Sequence, residues 1–296
     1  MKILKCAICE DREKIIQLFP ANFNPAKINK EIFSARRMPD RIHYKLVKCQ
    51  RCGLIFSREI MPLSKIVKLY KESEFHYKEE AKHLGKTYLG YFKEYIGLSS
   101  NLKVLDIGAG NGFFLQELSS AGIKDVWGVE PGKPSIKKAP KNLSGKIKPD
   151  ILRAGLFPKN SFDVICCFHT LDHIVDPNGF LKIVYSLLKP GGKAFFVVHN
   201  TAGLSVKLFG EKSPIFDIEH IYLFNKKTLR EIFKKNGFKK SAVFSHFNTY
   251  PVSYWMRLVP FPKKLKKGIL NFLIKSGLGN LPIKINPGNI GIIVGK

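Results

Sequence analysis

Residues 104–112 read Val-Leu-Asp-Ile-Gly-Ala-Gly-Asn-Gly, and this stretch decides the fold. A short apolar run ends at Asp106, glycines follow at alternate positions, and an apolar pattern with helical spacing starts at Phe113. Glycines at a strand-to-helix turn accept positive φ angles and let a ligand approach the main chain closely. The stretch therefore predicts the first strand, the turn and the first helix of a ligand-binding α/β domain.

A second apolar run, residues 126–129, ends in Glu130. An acid at that strand end accepts hydrogen bonds from two ribose hydroxyls, which predicts an adenine nucleoside as the ligand. The spacing Gly-x-Gly-x-Gly differs from the pyrophosphate fingerprint Gly-x-Gly-x-x-Gly. Asp106 also lies two residues before the first glycine, and a carboxylate there suits a cationic ligand better than a diphosphate.

On these residues the chain resembles the class I S-adenosylmethionine-dependent methyltransferases, whose first motif is hydrophobic-Leu-Asp-x-Gly-x-Gly-x-Gly. Further motifs of that family follow in the family's order and extend the resemblance over about residues 102–247. One of them carries Asp172 where the family usually has Glu. These motifs are Asn-Ser-Phe-Asp-Val-Ile (160–165), His-Thr-Leu-Asp-His-Ile-Val-Asp-Pro (169–177), Leu-Leu-Lys-Pro-Gly-Gly (187–192) and Glu-His-Ile-Tyr-Leu-Phe (219–224).

The resemblance implies a Rossmann-like, seven-stranded and mostly parallel sheet with helices on both faces. The cysteines of residues 1–60 predict that a small zinc-ribbon-like module precedes it. The alternation of strand and helix patterns over residues 102–247 favours the same α/β class. The last strand is expected to pair antiparallel, as the family's last strand does. The expected strands are 102–107, 126–129, 146–151, 162–168, 193–199, 239–247 and 290–294.

The same resemblance implies that S-adenosylmethionine binds at the carboxyl ends of the first strands. The loop after strand three should approach the adenine. Alignment on Phe162-Asp163 puts Ile151 where the family often has an acid, with Asp150 beside it. The residues expected to bind the cofactor are Asp106, Gly108, Ala109, Gly110, Gly112, Glu130, Pro131, Asp150, Ile151 and Phe168.

Histidines are the candidate catalytic residues, because methyl transfer needs an aligned acceptor and for some acceptors a general base. His220, in a predicted loop over the acceptor side, is the first candidate, and His169 is the second. His173 ranks third, because it should face the domain from a short helix. The alternative is that all three are packed or helix-capping histidines.

Four of the six cysteines form two knuckles, Cys6-x-x-Cys9 and Cys49-x-x-Cys52. Paired knuckles in a cytoplasmic chain predict one tetrahedral zinc ion bound by four thiolates, which is a structural site because no coordination position stays open. The alternatives are two unrelated reduced pairs or a redox pair. The remaining pair, Cys166-Cys167, is interpreted as small apolar residues, because neighbouring side chains in a strand point to opposite faces.

The formal net charge is +27, from 50 Lys and Arg against 23 Asp and Glu, with lysine spread along the whole chain. This charge predicts a polyanionic partner, either RNA or an anionic membrane surface, and the alternative is a lysine-rich proteome. The sequence contains no uncharged apolar run of ~18 residues and no secretion signal. We therefore expect a cytoplasmic protein, peripheral at the membrane if the charge has that role.

The chain is expected to contain a zinc-ribbon-like module at 1–60, a helical linker or lid at 61–101 and the methyltransferase core at 102–296. Within the core, residues 248–288 form a basic amphipathic insertion between strands six and seven, with five lysines between positions 263 and 275. Such a segment either meets an anionic surface or packs its apolar face on the domain edge while its lysines stay in solvent.

A ribbon followed by a methyltransferase core resembles a bacterial and archaeal group linked to sugar and polysaccharide modification. That resemblance implies a small glycan-related or sugar-nucleotide acceptor. The alternative is an rRNA or tRNA methyltransferase with an N-terminal zinc module, which the high charge favours. Against it, the sequence has no Asn/Asp-Pro-Pro-Tyr motif of the kind used for exocyclic base nitrogens. A non-enzymatic zinc scaffold is disfavoured because the cofactor motifs are intact.

Overall fold

A computed structural model describes residues 1–24, 28, 32, 41–72 and 79–296, with side chains from residue 83 onward in the last range. Within these residues the chain forms fifteen strands and nine α-helices. The strands are β1 (Lys2–Ile3), β2 (Ile15–Phe19), β3 (Leu46–Cys49), β4 (Ile55–Ser57), β5 (Glu59–Ile60), β6 (Lys103–Ile107), β7 (Asp125–Val129), β8 (Ile147–Lys148), β9 (Phe162–Phe168), β10 (Leu188–His199), β11 (Tyr222–Leu223), β12 (Lys239–Ser245), β13 (Asn248–Pro251), β14 (Pro282–Ile285) and β15 (Asn289–Gly295). The helices are α1 (Leu63–Glu72), α2 (Glu79–Tyr95), α3 (Phe113–Ser120), α4 (Lys133–Ile136), α5 (Pro177–Leu187), α6 (Leu204–Phe209), α7 (Lys226–Lys235), α8 (Val252–Leu258) and α9 (Lys263–Lys275).

Seven strands form the central sheet in the order β12-β15-β10-β9-β6-β7-β8. In the part of the sheet with the order β10-β9-β6-β7-β8, neighbouring strands pair parallel. Strand β15 pairs antiparallel with both β10 and β12. The expected fold class is therefore confirmed, including the antiparallel last strand. The strand order reverses between β6 and β9, and ligands of open α/β sheets bind at such a switch point, beyond the carboxyl ends of the strands.

The sheet is buried on both faces. Alternate residues of a strand point to opposite sides, so Leu105 and Ile165 pack in one hydrophobic cluster while Val104 and Cys166 pack in the other. Cys167 lies on the face opposite Cys166, and both are fully buried free thiols. The interpretation of this pair as apolar strand residues is confirmed.

Two strands differ in length from the sequence prediction by four residues or more, and the sixth, expected at 239–247, ends at Ser245. The third strand, expected at 146–151, is only Ile147–Lys148, because Pro149 cannot donate to the ladder and ends the pairing. The fifth strand, expected at 193–199, starts at Leu188. Its register shifts between Leu188 and Lys193, where the Pro-Gly-Gly turn lies within the strand.

The N-terminal residues form a two-stranded sheet, β1-β5, but their larger sheet is not made of N-terminal residues alone. Their four-stranded sheet has the order β11-β4-β3-β2, and its edge strand β11 belongs to the segment that follows strand five of the core. The amide of Ser57 donates to the carbonyl of Ile221 at 2.8 Å, and the Ser57 hydroxyl donates to the carbonyl of His220 at 3.2 Å. The N-terminal module therefore supports the loop that carries the first candidate base.

The segment expected to be a basic insertion, 248–288, starts and ends with the paired strands β13 and β14 and carries α8 and α9 between them. On α9 the side chain of Leu273 is buried, whereas Phe272 and Ile274 are 63% and 66% exposed. Within the ranges given above, no helix combines the length and the apolar character needed to cross a bilayer.

Candidate functional site

The glycine turn between β6 and α3 is held by main-chain hydrogen bonds. The amides of Gly108 and Ala109 donate to the carbonyl of Val129 at 2.8 and 3.1 Å. Gly108 has a φ of 78°, and a Cβ at this position would collide with the side chain of Thr170. The carboxylate of Glu130 accepts from the amides of Gly110 at 2.9 Å and Gly132 at 2.7 Å. The turn and the acid therefore lie together, as the sequence predicted.

Asp106 is the most unusual acid on this side of the sheet. Burial, together with the charge of Glu130, raises the pKa of Asp106 to about 8. Its Oδ1 is buried and has no hydrogen-bond partner among the described residues. A buried carboxylate oxygen without a hydrogen-bond partner has lost its water, and this makes the charged form costly. A cationic ligand at this position would therefore be stabilised.

A cavity of about 810 Å³ opens at the carboxyl ends of the central strands. Ten of the twelve predicted cofactor and catalytic residues line it, whereas Ala109 is fully buried beneath the turn and Gly112 precedes α3. The ten are Asp106, Gly108, Gly110, Glu130, Pro131, Asp150, Ile151, Phe168, His169 and His220. The cavity is therefore one space shared by the predicted cofactor side and the predicted acceptor side.

Four histidines line the acceptor side of the cavity and surround one buried carboxylate, Asp172. The ring of His199 lies 4.6 Å from that of His169 and 4.4 Å from that of His220, and the ring of His173 lies 5.0 Å from that of His220. We call this set, His169, His173, His199 and His220 with Asp172, the histidine cluster.

The strongest contact in the histidine cluster joins His199 and Asp172. His199 Nδ1 donates to Asp172 Oδ2 at 2.6 Å. Burial alone would raise the pKa of Asp172, but the positive charge and hydrogen bond of His199 hold that pKa well below its usual value. Because Nδ1 is the donor to a carboxylate, Nε2 of neutral His199 is a proton acceptor, and this residue lines the cavity.

His220 is buried, and its Nδ1 donates to the carbonyl of Ile215 at 2.7 Å. Burial lowers the pKa of His220 well below its usual value, and the charge of His199 lowers it further. The neutral ring still presents Nε2 as an acceptor. His220 is thus placed in the cavity, as predicted, but in an environment that disfavours its charged form.

His169 and His173 occupy different local structures. His169 follows β9 with a φ of 49°, a left-handed conformation that is rare for a residue with a side chain and that clusters at functional sites. His173 ends a short 3₁₀ turn, and its Nδ1 lies 2.9 Å from the hydroxyl of Tyr70 on α1. The helix α1, predicted as part of a linker or lid, thereby contacts the histidine cluster.

Sequence reasoning missed His199 as a site residue and gave Asp172 no role. His199 is the last residue of the fifth strand, directly beyond the apolar run 195–198. A polar residue at the carboxyl end of a central parallel strand is the signal that could have identified it. Asp172 was visible as a departure from the family motif, but its pairing with His199 depends on tertiary structure.

The four knuckle cysteines converge in the N-terminal module. Their sulfur atoms all lie within 4.8 Å of one another, and Cys6 Sγ is 3.5 Å from Cys52 Sγ. Tetrahedral zinc with Zn–S bonds of ~2.3 Å separates its sulfur ligands by about 3.8 Å, so these distances suit such an ion. The amide of Cys9 donates to Cys6 Sγ at 3.4 Å, as a knuckle turn requires.

Comparison with known proteins agrees with this architecture. The family described as "Methyltransferase domain" matches residues 76–243. The ubiquinone biosynthesis O-methyltransferase of Bordetella avium is 29% identical over 118 residues, which are 38% of this chain and 48% of that protein. The enzyme of the same name from Citrobacter koseri is 30% identical over 123 residues, 40% of this chain and 50% of that protein. This chain thus spans about half the length of these curated relatives.

A solved structure supports the fold alone. In the complex of the Haloferax volcanii Trm112 methyltransferase activator with a methyltransferase, the matched chain is 15% identical with a TM-score of 0.50. The match covers 73% of this chain and 91% of that chain.

Proposed function

Because the chain belongs to the methyltransferase domain family, we propose that it transfers a methyl group from S-adenosylmethionine to a small acceptor. The observation that carries this proposal is the shared cavity, which joins the glycine turn, Asp106 and Glu130 to the histidine cluster. A ligand bound at the turn and a second molecule beside the histidines would therefore meet inside one cavity, which can align them for transfer.

The residues of the cofactor side fit S-adenosylmethionine. The partnerless Oδ1 of Asp106 suits the ligand's positive charge, and the carboxylate of Glu130 is placed for ribose hydroxyls. Pro131, Asp150 and Ile151 also line the cavity and are assigned to the adenine side, and Phe168 is a further lining residue assigned to the cofactor. When bound, S-adenosylmethionine supplies an activated methyl group on a sulfonium.

The proton acceptor is assigned to the histidine cluster. His220 and His169 are the candidates from the sequence, and the geometry adds His199, whose Nδ1 donates to the Asp172 carboxylate and leaves Nε2 as the acceptor nitrogen. A neutral imidazole near the acceptor takes a proton as the acceptor attacks, and Asp172 stabilises the imidazolium that forms. We place His199 ahead of His220, because burial lowers the pKa of His220 and so disfavours the imidazolium that proton transfer would form there.

The acceptor class is proposed to be small and glycan-related. The order of a four-cysteine module followed by a methyltransferase core supports this class. A sugar-nucleotide acceptor belongs to the same proposal, and the +27 charge supports the alternative of an rRNA or tRNA substrate. The curated relatives carry the name of enzymes of ubiquinone biosynthesis, which supports a small-molecule acceptor over RNA.

We also propose one structural zinc ion on Cys6, Cys9, Cys49 and Cys52, supported by the converging sulfur atoms. Metal analysis of the purified protein should give about one zinc per chain, as a closed four-cysteine site implies. Protein that is free of metal and equally stable would contradict this proposal.

The helix α9 is proposed to meet an anionic membrane surface. Exposed Phe272 and Ile274 lie on the same helix as five lysines, and each lysine near an anionic bilayer contributes ~1 kcal/mol. The protein should sediment with anionic vesicles at low salt, less at high salt, and little with neutral vesicles. Failure to sediment with anionic vesicles at low salt would mean that the lysines are only a solvated face.

Binding and transfer test the main proposal separately. Calorimetry should show S-adenosylmethionine binding that is largely lost in Glu130→Ala, because one or two charge-assisted hydrogen bonds of ~1.5–3 kcal/mol each are removed. Label from the methyl group should then appear in a small-molecule fraction. Binding of NADH but not of S-adenosylmethionine would overturn the proposal, and label confined to RNA would select the alternative substrate.

A further inference from the structure

Two short helices give the cavity an almost wholly apolar side. Helices α6 and α8 supply seven of the residues that line the cavity, and none of the seven is charged. The charged residues of these two helices, Lys207 and Arg257, lie outside the lining. We call six apolar and aromatic members of the set the apolar wall: Leu204, Leu208, Phe209, Tyr254, Trp255 and Leu258.

The apolar wall extends to the protein surface. Leu204 and Leu208 line the cavity and are nevertheless 51% and 64% exposed, so they lie at its opening. The indole N–H of Trp255 donates to the carbonyl of Ile283 at 3.0 Å, so the only polar group of that side chain already has a partner. Water at this opening therefore contacts hydrocarbon, and a ligand that covers the leucines removes that contact.

The same cavity continues from the apolar wall to the histidine cluster. Pro214 and Ile215 follow α6 and also line the cavity. The carbonyl of Ile215 accepts from His220 Nδ1 at 2.7 Å, which links this stretch directly to the cluster. A molecule that spans the acceptor side of the cavity therefore meets an apolar surface at the opening and polar groups further in.

The apolar wall belongs structurally to the basic segment 248–288, which contains six lysines, one arginine and no acidic residue. Helix α8 lies in this segment, and the start of α6 is held against its end. The amide of Ser205 donates to the carbonyl of Pro287, and the amide of Asn200 donates to the carbonyl of Gly288, both at 2.8 Å. The opening of the cavity is thus part of the same unit as α9, the helix proposed to meet an anionic membrane.

We propose that the acceptor is an amphipathic lipid, whose hydrocarbon chain covers the apolar wall while its polar head reaches the histidine cluster. This inference rests on the proposed methyl transfer and names the class of the acceptor. A glycan head on a lipid chain is one such molecule. Contact between methylene groups and the exposed leucines removes apolar surface of both partners from water, whereas a ligand that carries only hydroxyl or charged groups gains nothing there.

The test for the chain measures binding of simple alkyl glycosides to the full protein in the presence of S-adenosylmethionine. The chain has two tryptophans, and Trp127 lies outside the lining, so Trp127→Phe leaves Trp255 on the apolar wall as the only indole. Hexyl, octyl and decyl glucoside are titrated below their critical micelle concentrations, with glucose as the ligand that has no chain. The fluorescence of Trp255 should shift to shorter wavelength with the glycosides and stay unchanged with glucose.

The dissociation constant should fall about tenfold for every two methylene groups added, as expected when most of their surface is buried. A dissociation constant that does not depend on chain length, or the absence of a shift with decyl glucoside, would overturn the inference.

A pair of leucine variants locates the chain. Leu208→Asn places a polar group on the apolar wall and should weaken decyl glucoside binding about tenfold. Leu265→Asn is the matched control, because Leu265 is a 52% exposed leucine of α9 outside the cavity lining, and binding should stay as in the parent protein. Both leucines are exposed, so neither change should unfold the protein. Unchanged binding by Leu208→Asn, or an equal loss in both variants, would contradict a chain site on the apolar wall.

The acceptor itself is tested with labelled methyl donor and two extracts of the cells that naturally make the protein, an organic lipid extract and an aqueous extract. Label should enter the lipid extract, and Leu208→Asn should lower its rate of incorporation while Leu265→Asn leaves it unchanged. Label that enters only the aqueous extract, or neither extract, would overturn the inference even though calorimetry still shows S-adenosylmethionine binding. Loss of that binding is a different result, because it contradicts the proposed function.

Discussion

The two halves of the cavity are built in different ways. The centre of the cofactor half, the glycine turn and Glu130, comes from one stretch of chain, β6 to the residue after β7, and its contacts are main-chain amides. The acceptor half brings together side chains from α1, the end of β9, the end of β10 and the 217–220 loop. The first half is therefore set by local backbone geometry, and the second by long-range packing.

Each half contains one fully buried acid, and the pKa values of these two acids are shifted in opposite directions. Burial raises the pKa of Asp106 to about 8, since Glu130 adds negative charge beside it. Asp172 is as deeply buried, yet His199 holds its pKa well below the usual value. The acceptor half thus contains a hydrogen-bond partner for its buried carboxylate, whereas Asp106 Oδ1 has none among the described residues and would gain one from a cationic ligand.

The largest expected effect separates the halves through the four-cysteine cluster. Replacing Cys49 and Cys52 by serine removes two thiolates from the proposed zinc site, and zinc at such sites contributes ~10–16 kcal/mol in small zinc peptides. Strand β4 should then release β11, because Ser57 holds Ile221 and the His220 carbonyl. We expect amide hydrogen exchange of residues 217–224 to accelerate at least about 100-fold while S-adenosylmethionine binding persists.

Serine replacement of Cys166, a buried strand cysteine outside the four-cysteine set, is the control for thiol loss alone. Equal loss of protection in the glycine turn, 108–112, would mean that the two halves are not separately supported.

The next effect concerns the His199–Asp172 pair. Asp172→Asn keeps the size of the side chain but removes the charge that orients His199 and stabilises its imidazolium. We expect kcat to fall by ~10²–10⁴, as for loss of a general base, with S-adenosylmethionine affinity unchanged. His199→Gln should match it, and the pH dependence of the residual rate should flatten in both variants.

His220→Asn and His169→Gln test the two candidates taken from the sequence. If kcat falls only a few-fold in both variants but falls strongly in His199→Gln, then His199 is the residue that accepts the proton. The reverse order of effects would restore His220 as the base.

The sequence predicted the cofactor half well because that half is local. The positions of Asp106, Gly108, Gly110 and Glu130 follow from strand, turn and strand, and these elements lie where the motif implied. Strand lengths were less predictable where a proline or a Pro-Gly-Gly turn competes with the ladder, as in β8 and β10.

The acceptor half could not be predicted to the same depth. His199 and Asp172 are separated by 27 positions along the chain and meet only because β9 and β10 are neighbours. The pairing of β11 with β4 was equally hidden, because two residues, Tyr222 and Leu223, carry no strand pattern of their own. Side-chain environments such as the burial of His220 depend on those contacts.

A smaller effect is expected in the cofactor half, where one substitution should weaken ligand binding but increase the stability of the fold. Asp106→Asn removes a carboxylate whose pKa is raised to about 8, so its folded form binds a proton more readily than its unfolded form. The stability that protonated Asp106 gives is fully present below the pKa that this residue has in the unfolded chain. It is lost as the pH rises through the folded pKa of about 8. The variant should therefore be more stable at pH 7, by at most ~4 kcal/mol, although it binds S-adenosylmethionine poorly.

Urea unfolding of the ligand-free protein and calorimetry measure the two quantities. Asp150→Asn is the matched control: burial would raise the pKa of Asp150, but the Arg153 hydrogen bond outweighs it and lowers that pKa, so its loss should not stabilise the fold. A destabilised Asp106→Asn protein would show that the buried charge is compensated within the ligand-free fold.

The smallest expected effect is a pH dependence of the free energy of unfolding that comes from His220 in the acceptor half. Burial lowers the folded pKa of His220, so between pH 6.5 and 5 the unfolded chain binds a proton that the folded chain does not. The contribution of neutral His220 to the free energy of unfolding is then fully present above the pKa that this residue has in the unfolded chain. It is lost as the pH falls below that pKa, by up to ~1.4 kcal/mol per pH unit. The variant His220→Asn retains a donor for the Ile215 carbonyl but cannot titrate, so its unfolding free energy should decline less over this window. His246, whose pKa burial lowers to about 3, is common to both proteins and cancels in the comparison. Parallel stability curves for wild type and variant would mean that His220 is protonated inside the cavity, which would return it to the first place among the candidate bases.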